Sequence, residues 1–287
     1  MGAVFRKELK LYMSGMFGYF VIALLLLFTG IFVALFQLVS GYTDLSFTLS
    51  AMQWVLIVLI PLLSMRSIAE ERHQKTDLLL FSLPLRMRDV VLGKFFAMAT
   101  VFVIPTAITA IYPIILSSMG AFSLANSYTA LLGYCLMGLA MIALCTFLSS
   151  LFENQIVSVV VCIAALLLLY FANVASMLLP DSAILSLLLL VLLELVAALL
   201  LWASTKNMRL TLLVAAILII PTAILFAIKS EWFVALIPNL LHAVDLFGRF
   251  GGFTYGHIDL PAALTYLSYT VFFLCATVGV MEKRRFA

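Results

Sequence analysis

The chain has 287 residues, of which 66% are hydrophobic and only 10% are charged, and its mean hydropathy is +1.24. Soluble domains carry about 25% charged residues, so this composition excludes a water-soluble fold and indicates that a lipid bilayer surrounds most of the chain. The formal net charge is only +3, and we expect no nucleic-acid partner.

The amino-terminal segment Val4–Met13 places apolar and basic residues at helical spacing ahead of a long apolar run. This pattern is typical of a short helix that lies along a membrane surface. A basic flank that only orients the first span would show the same pattern. The apolar run is too long for a signal peptide and lacks a clear cleavage site, so we expect it to be retained.

Eight stretches approach the length of a membrane span, since a helix needs roughly 20 mainly apolar residues to cross about 30 Å of hydrocarbon. The predicted spans are Phe17–Val39, Ala51–Met65, Phe95–Ser118, Tyr128–Leu151, Ile156–Leu179, Ala183–Ser204, Leu210–Ile228 and Pro261–Met281. The second is short, and we expect it to extend through Leu49 and Ile68. The prediction is therefore an all-α protein with one transmembrane domain over residues 1–287.

Basic residues predict how the chain is oriented, because lysine and arginine near span ends stay on the cytoplasmic side. With the amino terminus inside, fourteen of the sixteen basic residues lie in cytoplasmic segments, and only Lys229 and Arg249 lie outside. We therefore expect a multi-pass protein of the inner, or plasma, membrane with both termini in the cytoplasm.

The most charged part of the chain is the segment Arg66–Lys94, between the second and third spans. Its central apolar run is too short to cross a bilayer, and Pro84 interrupts it because proline disfavours helix at the residue before it. After Pro84, the charged residues Arg86, Arg88 and Asp89 alternate with apolar ones. We expect a cytoplasmic helix-turn-helix here, with its apolar face towards the membrane.

The outer segment, residues 229–260, is rich in aromatic residues and glycine. Aromatic side chains concentrate at the boundary between membrane and water. We therefore interpret Ala235–Phe247 as an interfacial or re-entrant helix, followed by a glycine-rich turn.

Glu194 is the one acidic residue deep inside a predicted span. A charged side chain at that depth is costly and marks a functional site by default, so it could line a substrate path or accept a proton. A protonated or hydrogen-bonded glutamate that holds helices together explains it as well.

Sequence signatures of catalysis are missing from the chain. The three histidines lie outside the predicted spans, and neither HExxH nor GxxxxGK[ST] occurs. The four cysteines lie inside the predicted spans, and we interpret them as small buried residues. We therefore expect no enzyme activity, no metal site and no bound cofactor in this chain.

Residues of the charged segment together resemble the signature of type-2 ABC exporter permeases. They are Glu70, Glu71 and Arg72 after the second span, Ser82 and Pro84 in the turn, and Gly93 and Lys94 at the entrance to the third span. Lys75 stands where that family usually has glycine. The carboxy-terminal run from Glu282 to Arg285 is similar to the gliding-motility-type branch of the family. The family commonly has six spans, so Ala183–Ser204 and Leu210–Ile228 would be an additional pair.

The resemblance implies an ATP-driven exporter in which a separate subunit binds ATP and magnesium. It implies a coupling helix, for which Leu83–Leu92 is the candidate, and a second permease copy or a related permease in the lipid membrane. The residues expected to couple to the ATP-binding subunit are Glu70, Glu71, Arg72, Ser82, Pro84, Leu85, Arg86, Arg88, Asp89, Gly93 and Lys94. A solvated loop surface would account for the same charges.

Two functions from other classes stay open. An ion-coupled secondary transporter needs charged side chains at mid-membrane, and Glu194 alone qualifies. A non-transporting membrane scaffold would use the charged segment Arg66–Lys94 as a docking site. The substrate is not predicted, because no polar group of residues in the spans selects one.

Overall fold

The computed structural model describes residues 1–73, 86–118, 120, 122–178, 182–191 and 245–286, together with eight single positions between residues 221 and 241. Within these residues every regular element is helical. The chain divides into two compact units: the larger is Met1–Leu168 with Arg249–Ala287, and the smaller is Leu169–Gly248.

The helices of the described residues are labelled in chain order. They are α1 Gly2–Ser14, α2 Met16–Val33, α3 Ser46–Met65, α4 Ala69–His73, α5 Met87–Thr109, α6 Tyr112–Ser117, α7 Leu124–Leu151, α8 Gln155–Leu178 and α9 Leu260–Phe286. A π-helical stretch, Ala34–Val39, continues α2, and a 3₁₀-helix covers Gly248–Tyr255. Residues 183–191 are helical as well.

Six helical segments of the described residues are long and apolar enough to cross a membrane. They are Met16–Val39, Ser46–Met65, Met87–Ser117, Leu124–Leu151, Gln155–Ala172 and Leu260–Arg284. These segments correspond to the first five predicted spans and the last one. The predicted spans Ala183–Ser204 and Leu210–Ile228 lie mostly outside the described residues, so the number eight stays a prediction.

The second span differs from its prediction at one end. Its extension through Leu49 is correct, because α3 begins at Ser46. Its extension through Ile68 is wrong: α3 ends at Met65, and residues 66–68 form a turn. The amide of Ser67 donates a hydrogen bond to the carbonyl of Ser64 at 3.0 Å, which closes this turn before α4 begins.

The structure describes only the two flanks of the predicted helix-turn-helix, which therefore stays a prediction. Arg86 has extended backbone torsions, and α5 then runs without a break from Met87 to Thr109. Residues 87–92 are therefore continuous in one helix with the predicted third span. The physical reason is that the first proline within α5 is Pro105, so nothing interrupts the helix near its start. The rest of the motif, residues 74–85, lies outside the described residues.

In the larger unit, α7 is the central helix and packs against α3, α5, α6 and α9. Two glycines of α7 allow aromatic rings to reach its backbone. A Cβ atom at Gly133 would lie 2.6 Å from the ring of Phe253, and one at Gly138 would overlap the ring of Phe102 in α5. Small residues at such contacts let membrane helices approach closely.

The glycine-rich stretch predicted as an outer turn is instead the 3₁₀-helix Gly248–Tyr255, and part of it belongs to the core. Phe250 and Phe253 are buried, and the hydroxyl of Thr129 in α7 donates to the carbonyl of Phe253 at 2.8 Å. Phe253 is therefore a packing residue, because Gly133 leaves room for its ring inside the bundle.

In the smaller unit, the described residues include a turn built around Asp245. The buried carboxylate of Asp245 accepts hydrogen bonds from the amides of Phe247 at 2.9 Å and Gly248 at 2.8 Å. The ring of Phe247 packs edge-on against Tyr170 of α8, with their centroids 5.3 Å apart.

Candidate functional site

One end of the larger unit collects the C-termini of α3, α7 and α9 with the N-terminus of α5, and α1 packs beside them. We call it the basic end, because it carries most of the basic residues that the structure describes. The last four carbonyl groups of a helix have no partner within the helix, and the helix dipole favours cations near them. Basic side chains are therefore suited to joining helices here.

Two arginines satisfy carbonyls just at the end of α7. Arg284 of α9 donates to the carbonyl of Leu151 at 3.0 Å, and Arg72 of α4 donates to the carbonyl of Phe152 at 3.4 Å. The amide of Ala69 also donates to the hydroxyl of Ser149 in α7 at 3.3 Å. These contacts attach α4 to the central helix.

A buried ion pair joins three elements at the basic end. The ammonium group of Lys94 in α5 lies 3.0 Å from a carboxylate oxygen of Glu8 in α1, and it donates to the carbonyl of Ser67 at 2.8 Å. The side chain of Lys94 is only 1% exposed and that of Glu8 is 4% exposed. We call Glu8, Ser67 and Lys94 the clamp.

The clamp forms because α1 and α5 touch along their backbones. The buried face of α1 consists of Val4, Glu8 and Tyr12, which are one helical turn apart. Gly93 lies opposite this face, and a Cβ atom there would come within 2.9 Å of the Val4 side chain. Tyr12 adds a hydrogen bond to the carbonyl of Leu63 in α3 at 3.1 Å.

The energetics of the clamp depend on its being complete. A buried charge is costly unless its partner and its hydrogen bonds are all present. Lys94 has a carboxylate and a carbonyl as partners, and Glu8 also has the more exposed Lys7 at 3.9 Å. Loss of either buried partner would strand the other charge, so α1, α3 and α5 are expected to move together.

The three predicted residues of α4 have different surroundings. Glu70 lies 3.9 Å from the Nε atom of Arg66 and is partly exposed. Arg72 is buried, which leaves it little surface to offer to another protein. Glu71 belongs to the same helix, but its side chain lies outside the description.

At the start of α5, Arg86 and Arg88 are exposed. Asp89 is half-exposed, and its carboxylate lies 3.6 Å from the amino-terminal nitrogen of Met1. Its position in the first turn of the helix is favourable for a negative charge. The predicted residues Ser82, Pro84 and Leu85, and Glu194 of the sixth predicted span, lie outside the described residues.

Gly93 and Lys94 are internal rather than surface residues. Both are buried under α1, so in this structure they hold helices of one chain together and present no surface to a partner. Glu8 was not among the predicted site residues, although the sequence contains a signal for it: it is a lone carboxylate on a face otherwise formed by Val4 and Tyr12.

The described residues include no group of three or more His, Cys, Asp or Glu side chains that could hold a metal ion. The family model described as ABC-2 family transporter protein matches residues 4–208, well over half of the 287-residue chain. No curated protein matches the chain.

Proposed function

Because this chain belongs to the ABC-2 family of transporter proteins, we propose that it is the membrane-spanning permease subunit of an ATP-driven exporter. ATP and magnesium bind to a separate subunit in this proposal, and the permease works beside a second copy of itself or a related permease. In this proposal the basic end lies on the cytoplasmic side of the inner membrane, in agreement with the tendency of lysine and arginine to stay on that side.

The observation that carries this proposal is the anchoring of both flanks of residues 74–85. On one flank, α4 is attached to the end of α7 through Ala69 and Arg72. On the other flank, α5 is attached to α1 and to the end of α3 through Lys94. A displacement of the intervening segment would therefore be transmitted to two different parts of the bundle.

Transport follows from this connection in the proposal. When two ATP-binding subunits close, they displace the segment between α4 and α5, and α5 moves with α1 because the clamp joins them. The movement changes the position of α5 relative to α7. The two helices are in contact where the ring of Phe102 in α5 reaches Gly138 in α7. Access to the space between the spans changes as a result.

Exposed charges at the start of α5 suit a contact with the ATP-binding subunit. Arg86 and Arg88 are exposed and lie directly after residues 74–85, so their guanidinium groups can form charge-assisted hydrogen bonds with carboxylates of a partner. Asp89 faces the chain's own amino terminus, and we assign it to the attachment of α1. Glu70 and Glu71 remain candidates for contact with the partner.

The experiment is purification of the tagged full-length chain from its own cells in mild detergent, followed by measurement of ATP hydrolysis and identification of the co-purifying chains. We expect a chain with a GxxxxGK[ST] motif and ATPase activity to accompany the permease. The double variant R86E/R88E is expected to lose most of the co-purifying chain and most of the ATPase activity. In the proposal the two arginines contact carboxylates of the partner, and each new carboxylate would repel them.

Lys283→Glu is the matched control, since Lys283 is an exposed basic residue of α9 at the same end but outside the segment Arg66–Lys94. It should retain the ATP-binding chain. The proposal is contradicted if the wild-type chain purifies without an ATP-binding subunit, or if R86E/R88E and Lys283→Glu retain the same amount of it.

The finer assignment to the gliding-motility-type branch rests on the run from Glu282 to Arg285, which lies beyond the matched residues 4–208. It remains part of this proposal. For the ion-coupled alternative, its candidate residue Glu194 lies outside the described residues, so no observation favours that function over an exporter.

A further inference from the structure

A groove lies on the surface of the larger unit where α1 turns into α2. Its volume is about 770 Å³, and its lining consists of Gly15, Met16, Phe17, Tyr19, Phe20, Ala23 and Arg66. Met16, Tyr19 and Phe20 are 90%, 60% and 55% exposed. This much exposed apolar and aromatic surface at the start of a membrane span favours contact with lipid.

Arg66 is the charged residue of the groove. Its guanidinium carbon lies 4.3 Å from the ring centroid of Phe17, and its Nε atom lies 3.9 Å from Glu70, at the outer limit of an ion pair. Among the described residues, no acceptor takes a hydrogen bond from its two Nη atoms. The stacked guanidinium is therefore held in place with its forked donors available, which is the arrangement that binds phosphate.

The shape of the groove is set by the close crossing of α1 and α2. A Cβ atom at Gly18 would overlap the carbonyl of Tyr12, so a larger residue there would separate the two helices. Tyr12 is itself held by the carbonyl of Leu63. The backbone crossing that shapes the groove is thus fixed by packing before any ligand arrives.

The groove is cationic at one end and apolar along the rest, which complements the anionic headgroup and the acyl chains of a phospholipid. Arg66 stands at the charged junction of α1 and α2, and the lining continues along α2 to Phe20 and Ala23, towards the middle of the span. Arg6 and Lys10 of α1, the helix that leads into the groove, are also exposed, and basic residues at a membrane surface attract anionic lipids. A free anion would use Arg66 alone and leave the apolar wall uncovered.

We propose that this groove binds one anionic phospholipid, with its phosphate on Arg66 and an acyl chain along Phe20 and Ala23. This inference is independent of the transport cycle, because it concerns the permease chain and the membrane alone. It can fail while the exporter proposal holds, and the reverse is also true.

The test uses the purified full-length chain in detergent and counts bound lipid by native mass spectrometry. Phosphatidylglycerol and phosphatidylcholine with identical acyl chains are titrated in turn. We expect phosphatidylglycerol to bind more tightly, and Arg66→Ala to weaken its binding about tenfold, since charge-assisted hydrogen bonds are lost. Lys283→Ala, which removes an exposed basic residue outside the groove, should leave binding unchanged.

A second variant separates a lipid from a free anion. Phe20→Ser leaves Arg66 intact but removes apolar surface from the groove, so it should weaken phosphatidylglycerol binding and leave inorganic phosphate binding as it was. Because Phe20 is 55% exposed, this variant tests the proposal even if Arg66→Ala fails to fold. The proposal is overturned if inorganic phosphate binds as tightly as phosphatidylglycerol, if the two lipids bind equally, or if a folded Arg66→Ala or Phe20→Ser keeps wild-type affinity for phosphatidylglycerol.

Discussion

The two ends of the larger unit are held together by different kinds of contact. At the basic end, the main connection is the buried ion pair between Lys94 and Glu8. At the opposite end, neutral contacts join the elements: Thr129 bonds to the carbonyl of Phe253, and Gly133 receives the ring of Phe253. One end therefore depends on charge and the other on hydrogen bonds and shape.

This difference indicates how each end responds to change. An ion pair withdrawn from water has few other favourable arrangements, so it keeps its helices together until one partner is lost. Close packing against glycine tolerates no added volume, but it does not depend on a second charged group. A buried ion pair therefore suits a group of helices that must move together as a rigid body.

The largest expected effect comes from removing the ammonium group of the clamp. Lys94→Met should lower the free energy of unfolding by about 3–5 kcal/mol, because it leaves the carboxylate of Glu8 buried without its main partner. The measurement is unfolding of the full-length chain in mixed detergent micelles, followed by intrinsic fluorescence.

The double variant Glu8→Gln/Lys94→Met should recover much of that loss, since neither buried group is then charged. Lys10→Met is the control, because Lys10 is an exposed lysine of α1, the helix that carries Glu8, and it should change stability by less than about 0.5 kcal/mol. If Lys94→Met and Lys10→Met have equal effects, the ionic description of this end is wrong.

A smaller loss is expected at the opposite end from Gly133→Ala. The added Cβ would lie 2.6 Å from the ring of Phe253, and relieving that overlap should cost about 1–3 kcal/mol. Gly251→Ala is the control, in the 3₁₀-helix that carries Phe253, because a Cβ built at Gly251 meets no atom of a non-neighbouring residue within 4 Å. A loss for Gly251→Ala as large as that for Gly133→Ala would rule out a packing cause.

The smallest effect is expected from Thr129→Val, which removes a hydroxyl whose proton is shared between the carbonyl of Phe253 at 2.8 Å and that of Ala125 in its own helix at 2.9 Å. The loss should be about 1 kcal/mol, the usual net contribution of a neutral hydrogen bond. Thr265→Val serves for comparison, since the hydroxyl of Thr265 bonds to Pro261 of its own helix and is exposed. Equal stability of both variants with the wild type would show that this end rests on packing alone.

The sequence predicted more of the fold than of the site. Spans such as Leu124–Leu151 were recognisable because twenty or more apolar residues leave few alternatives in water or lipid. The end of α3 at Met65 was not recognisable, since Arg66 to Ile68 contains no proline or glycine that would indicate a turn. The start of α5 was missed for a related reason: charges at Arg86, Arg88 and Asp89 suggest a separate solvated helix, yet Arg88 and Asp89 lie in the first turn of α5, which continues into the predicted span.

For the site, the sequence singled out Gly93 and Lys94 as residues that couple to a partner. Only the structure shows that both face α1, where Gly93 admits Val4 and Lys94 meets Glu8. The two members of this ion pair are 86 residues apart, and no local pattern relates positions at that separation.

Composition and hydropathy by themselves determined that the protein is helical and lies in a membrane, because apolar length and the need to satisfy backbone hydrogen bonds in lipid permit little else. They also determined where charge accumulates along the chain. Tertiary packing decided which charges are buried together. It also decided that α1 packs against α5 and that residues 87–92 belong to α5. The reason is that side-chain burial depends on which helices touch, and contact between distant segments is not encoded in the period of either one.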